Sequence, residues 1–157
     1  MQPDPNSLEK LLRYKDTDGY TALHRSAYSN SLDVVKYILS FEKHNRISNL
    51  NQLQVQTEMG WTPLHSAVFW NCFNVVEFLI KHPNVNVNWR SGSGQTSLHL
   101  TASQSSHRET ILLLLTHLDI RYDIKNDQEE TAHTIANRSC KYNSLFEIAD
   151  ENLIKLF

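Results

Sequence analysis

Only two cysteines, four glycines and four prolines occur in the 157 residues. Cys72 and Cys140 show no Cys-x-x-Cys spacing, which excludes the disulfide framework that staples small secreted domains and fits free thiols in a reducing compartment. The opening MQPDPNSLEK lacks both the basic stretch and the apolar core of a signal peptide. No run of 18 apolar residues offers a membrane span. Charge of one sign is scarce as well. Fifteen Lys and Arg against 17 Asp and Glu leave a formal charge of -2, with no basic footprint for DNA or RNA. These absences together predict a soluble intracellular protein, cytoplasmic or nuclear, with no membrane partner and no direct nucleic-acid ligand. Asn137-Arg138-Ser139 matches a glycosylation acceptor, a chance match in such a compartment.

What the chain has is a core and a repetition. Hydrophobic residues make up 40% and aromatics 10%, enough to bury an interior. GYTALHRSAYSN, GWTPLHSAVFWN and GQTSLHLTASQS follow one another, with EETAHTIANRSC as a looser fourth copy. Aligned on Thr21, Thr62, Thr96 and Thr131 the spacings are 41, 34 and 35, a period that points to a solenoid. The longer first spacing hides an insertion in Phe41 to Val55, where a mobile loop is expected.

Each copy encodes the same local events. Gly19, Gly60 and Gly94, two residues before the Thr, supply the positive φ of a tight turn. The Thr is a preferred N-cap, and Pro63 suits the first helical position because its missing donor would be unpaired there. Leu23/Ala27, Leu64/Ala67 and Leu98/Ala102 give a first helix one buried stripe. Asn30, Asn71 and the polar run 103–107 are turn formers that end it. A second helix follows, with stripes Leu32/Val35/Ile38/Leu39, Phe73/Val76/Leu79/Ile80, Ile111/Leu114/Leu115 and Leu145/Ile148/Ala149.

Gly60-Trp61-Thr62-Pro63-Leu64-His65-Ser66-Ala67 resembles the Gly-x-Thr-Pro-Leu-His-x-Ala signature of the ankyrin repeat family, and the resemblance covers about residues 16 to 150. It implies an all-α ankyrin-repeat solenoid of about four helix-turn-helix repeats joined by β-hairpin-like loops. The expected organisation is a short N-terminal capping segment, 1–15, and one domain, 16–155, with repeats at about 16–49, 57–88, 91–122 and 126–155. The fourth copy has Glu129 for Gly, His133 for Leu and Thr134 for His, which suits a capping repeat with one face toward water. A monomer is expected, with the thin N-terminal cap as the place where two copies would meet.

Chemistry finds little support. His24, His65 and His99 occupy one position in successive repeats, and helices stack about 8 to 10 Å apart, whereas metal ligands converge within about 2 Å of one ion. Imidazoles bonding near the Thr caps are the expected reading, and His133 is read as a packed or cap residue. RSGSGQT lacks the frame of a phosphate loop, no Gly-x-Ser-x-Gly occurs, and neither Cys has an activating context. No catalytic residue, cofactor or metal is therefore assigned, and the protein is not expected to be an enzyme.

The resemblance implies instead a scaffold or adaptor whose hairpin tips and first helices line a concave face for a protein partner. Carried over by register, the partner-binding positions are Tyr20, Arg25, Tyr28, Trp61, Ser66, Phe69, Trp70, Leu100 and Gln104. Interface hot spots are enriched in Trp, Tyr and Arg, and most weight falls on Tyr28, Phe69 and Trp70. Asp16, Asp18 and Glu58 near the tips are read as rim charges that tune association rate. The resemblance also implies asparaginyl hydroxylation of Asn88 in VNVNWR, weighed against an Asn that ties the hairpin through backbone bonds; a separate expectation is membership of a regulatory or transcription-related complex, with nucleic-acid association reached only indirectly, through a partner.

Overall fold

The computed structural model describes residues 5–44, 51–104 and 108–154. α1 (Pro5–Arg13) precedes four helix pairs: α2 (Ala22–Tyr28) with α3 (Leu32–His44), α4 (Pro63–Phe69) with α5 (Phe73–Ile80), α6 (Ser97–Ser103) with α7 (Arg108–Leu115), and α8 (Ala132–Ser139) with α9 (Asn143–Ile154). First helices pack on first helices and second helices on second helices along the stack. No β-strand occurs among the described residues, and a lone bridge joins Lys125 to Thr131. The joining loops are thus hydrogen-bonded turns with little ladder.

The turns repeat atom for atom. Tyr20, Trp61, Gln95 and Glu130 each accept at their carbonyl from the amide four residues earlier, at 2.8–3.0 Å. The side-chain oxygens of Asp16, Thr57, Ser91 and Asn126 close each turn from within by accepting from backbone amides, as short polar side chains do in Asx and ST turns. The tips also join edge to edge: Glu58 N donates to Asp18 O at 3.0 Å, Gly92 N to Met59 O at 2.9 Å, and Asp127 N to Ser93 O at 3.2 Å. Gly60 has φ 75°, and a Cβ there would lie 2.3 Å from the Gly92 nitrogen. Glycine is needed at that position for both the turn and the close approach of the next unit.

Histidine makes the second inter-repeat clasp. Nδ1 of His24, His65 and His99 lies 2.8–2.9 Å from the Oγ1 of its own cap threonine and accepts from that threonine's backbone amide. Nδ1 is therefore the bare nitrogen, and Nε2 carries the proton. Nε2 donates across to the next repeat: His24 to Trp61 O at 2.9 Å, His65 to Gln95 O at 3.2 Å, His99 to Glu130 O at 3.1 Å. Burial pushes the pKa of His24 and His65 down to about 4 and lowers that of His99, so the imidazoles are neutral struts at neutral pH.

The core runs through the stack, and the stripes of the first helices and of α3 and α7 lie in it or against it, as do Val76, Leu79 and Ile80 of α5. The expected Phe73 is half-buried outside the core, and Val75, 0% exposed, fills it instead. Two further expectations need correction. In α9 the core residue is Phe146, 1% exposed, while Ile148 is 54% exposed. The insertion is not all loop: α3 continues to His44, and Gln52–Gln54 forms a 3-10 turn with Gln52 and Leu53 buried. Gln52 Nε2 donates to Leu12 O at 2.8 Å, tying this turn to α1. The middle of the expected mobile loop, 45–50, lies outside the described residues, as do 105–107 of the polar run.

Candidate functional site

The positions just before each cap and at the end of each first helix fall on one face, because a helix brings residues a turn or two apart into line. In the first two repeats that face is aromatic. Trp61 precedes cap Thr62, Phe69 ends α4, and Trp70 is its C-cap, donating its amide to Ser66 O. Trp61 and Phe69 meet with ring centroids 4.9 Å apart, Phe69 and Trp70 at 5.5 Å and 82°, and Trp70 and Tyr28 of the first repeat at 5.4 Å and 76°. Edge-to-face contacts of this kind hold the rings in fixed orientation. The series continues through the Arg25 guanidinium, whose carbon lies 5.9 Å from the Tyr28 centroid and 4.6 Å from that of Tyr20.

Arg25 is not a free cation. Asp16 takes its Nε at 3.0 Å and also its Nη2. The guanidinium holds the Asp16 carboxyl below the usual carboxylate range. The pair holds the guanidinium near both tyrosine rings and offsets its charge there. Burial raises the pKa of Tyr20, so its hydroxyl stays protonated at neutral pH.

Exposure sorts the expected residues. Trp70 is 54% and Tyr28 37% exposed, Arg25 is exposed, and Tyr20, Trp61, Phe69 and Gln104 are half-buried. Ser66 and Leu100 are corrections: they are 0% and 4% exposed and belong to no accessible surface. Ser66 is a small side chain one turn before Phe69 and Trp70 and does not reach solvent past them. Leu100 is withdrawn from water into the core.

Beyond the second repeat the same two positions change character. Gln95 and Ser103 replace the aromatic pair in the third, and in the fourth Glu130 pairs with Arg138 at 2.6 Å. The aromatic surface is therefore confined to the first two units. Sequence register found these residues but missed Met59 at the second tip, 62% exposed, and the Asp16–Arg25 pairing, which joins positions nine apart across a turn.

Asn88 is half-buried and committed to the next repeat. Its Nδ2 donates to Asp119 O at 2.6 Å, its Oδ1 accepts from Arg121 N at 2.9 Å, and its own amide is taken by Asn86 Oδ1. Beside it lies an open polar groove whose charges close on each other, Arg90 with Asp127 at 3.0 Å, Arg121 with Asp123 at 2.7 Å, and Lys125 with Glu129 at 3.2 Å. Burial raises the Cys72 thiol, which donates to Tyr28 O at 3.2 Å. Among the described residues no three His, Cys, Asp or Glu converge on a metal-sized site, and no helix is long and apolar enough to cross a membrane.

Residues 2–91 match the family model for ankyrin repeats (3 copies). Over 136 residues, 87% of this chain, the sequence is 40% identical to ankyrin repeat domain-containing protein 49 of Mus musculus. The match covers 53% of that protein, so the chain spans about half the length of the curated relative. The repeated cap, clasp and turn reach past the matched stretch, since His99 and Glu130 join the third unit to the fourth as the earlier histidines join theirs. With the family model met over residues 2–91 of 157, the chain belongs to the ankyrin repeat family.

Proposed function

We propose that the protein is a non-enzymatic adaptor that holds a protein partner on its concave face, with Trp70 as the central anchor. Ankyrin repeats are generally protein-protein interaction modules. The observation that carries the reading is the unbroken ring series Tyr28–Trp70–Phe69–Trp61, open to water at Trp70 and Tyr28 while its rear is packed on the core. Such rings give a partner large apolar area at small entropic cost, because they are already fixed. Arg25 and Tyr20 extend the patch toward the first tip, and Gln104 borders it on the third repeat. Docking of a transcription-related assembly through this patch is the finer form of the reading.

The test is quantitative capture by the folded chain, with mass spectrometry of what is retained. Trp70→Ala with Tyr28→Ala should remove a defined set of proteins by at least about tenfold. Leu118→Ala, at a site 99% exposed in the third repeat, should keep them. If the double variant retains its helical spectrum and captures the same proteins undiminished, the patch is not the interface.

A further inference from the structure

We infer that the occupant of the aromatic patch is an extended, proline-rich segment of the partner, with a lysine or arginine at the end that reaches the first two tips. The inference rests on the reading of the patch as the partner surface, and it names the kind of chain that fits there. The rings of Tyr28, Trp70, Phe69 and Trp61 run from the helix ends to the second tip in centroid steps of 5.4, 5.5 and 4.9 Å. The indole N–H groups of Trp61 and Trp70 and the hydroxyls of Tyr20 and Tyr28 have no hydrogen-bond partner among the described residues, and those of the half-buried Trp61 and Tyr20 still reach water. An indole offers a donor and no acceptor, so what it lacks is a carbonyl. Strand addition would need a sheet edge, and no strand occurs among the described residues. A helix keeps its carbonyls for its own ladder. A polyproline II segment has no internal hydrogen bonds and turns its carbonyls outward, and proline brings a carbonyl without an N–H that indole donors would leave unmet. Two such residues advance about 6 Å, so each step between rings takes one dipeptide.

Charge sets the direction of the segment. Arg25, Arg90 and Arg138 are matched within the chain by Asp16, Asp127 and Glu130. Asp18 and Glu58 are exposed at adjoining tips, where Glu58 N donates to Asp18 O at 3.0 Å. Neither carboxylate is ion-paired among the described residues, and Lys15, just before the first turn, is directed to the Gln56 carbonyl at 2.9 Å. Burial foremost, and after it Asp18 and Asp16, raise the Tyr20 hydroxyl, which places the Asp18 charge beside the ring at the first tip. A cation on the incoming segment is therefore drawn to the tips, and the prolines lie over Trp70 and Tyr28.

Phage display on the folded chain tests this, with a library of Pro-x-x-Pro segments between randomised flanks and fluorescence anisotropy of the enriched peptides. Those peptides should carry Lys or Arg on one flank. Trp70→Ala should weaken their binding by at least about tenfold, and Trp70→Phe, which keeps a ring and loses the N–H, by about three- to tenfold. Asp18→Lys with Glu58→Lys should weaken the basic peptide by about threefold or more and favour its counterpart with glutamate on that flank, with an unchanged helical spectrum. A library without a Trp70-dependent binder, a Trp70→Phe variant that binds undiminished, or enriched peptides without a basic flank overturns the inference. The capture experiment above separates the two readings. Capture that depends on Trp70 while the library yields nothing overturns this inference alone, whereas capture that never depended on Trp70 overturns the interface with it.

Discussion

Glu129 stands where three units have glycine, and its φ of 59° is the left-handed turn that Gly19, Gly60 and Gly94 adopt at 81°, 75° and 75°. The turn is the same, but what presses on it is not. A side chain at Gly19, Gly60 or Gly94 would meet the succeeding turn's backbone at 2.3–2.8 Å, whereas Glu129 is exposed and reaches Lys125 at 3.2 Å. Thr134 tells the same story, for it replaces the clasping histidine with a hydroxyl 3.0 Å from Thr131 Oγ1. Equilibrium denaturation should separate the two demands on glycine. Gly60→Ala, which adds both strain and collision, should cost about 2–3 kcal/mol. Glu129→Gly, which relieves strain while loosening the unfolded chain, should change stability by less than about 1 kcal/mol.

At the scale of elements, the helices were legible wherever one stripe and one cap coincide. Thr62-Pro63 with Leu64 and Ala67 marks α4 without ambiguity, and the structure starts the helix there. In α9 Leu145 and Ala149 pack against the core as expected, but Phe146 rather than Ile148 enters it, because Leu145, Phe146, Ile148 and Ala149 offer two overlapping stripes and only the neighbours decide between them. α9 packs on α7 and α8, so one narrow face is covered and Phe146 takes it. Thermal melts should show Phe146→Ala costing about 3–5 kcal/mol and Ile148→Ala less than about 0.5 kcal/mol. The candidate surface divides in the same way. Register alone located Tyr28, Phe69 and Trp70, but the burial of Ser66 and Leu100 depends on the bulk of neighbours that a repeat pattern does not weigh.

For the whole molecule the three histidine struts make cohesion depend on pH. Their folded pKa values lie below the ordinary 6.5, at about 4 for His24 and His65, because the buried imidazole resists a second proton and Nδ1 faces a backbone donor. The unfolded chain takes up those protons first as pH falls, so this stability is whole above pH 6.5 and drains between 6.5 and about 4. The loss is about 1.4 kcal/mol per pH unit for each fully shifted histidine. Urea midpoints should fall steadily from pH 7 to pH 4.5, and His65→Gln should be weaker at pH 7 with a shallower slope. An unchanged slope in that variant would deny the strut its role.

The proposed partner interface is the aromatic patch of the first two repeats. A photoreactive phenylalanine analogue placed at position 70, and in a second protein at position 118, tests it directly when irradiated in cells. Position 70 should yield discrete crosslinked species that position 118 does not, and Tyr28→Ala should diminish them. Crosslinks from position 118 with none from position 70 would contradict it.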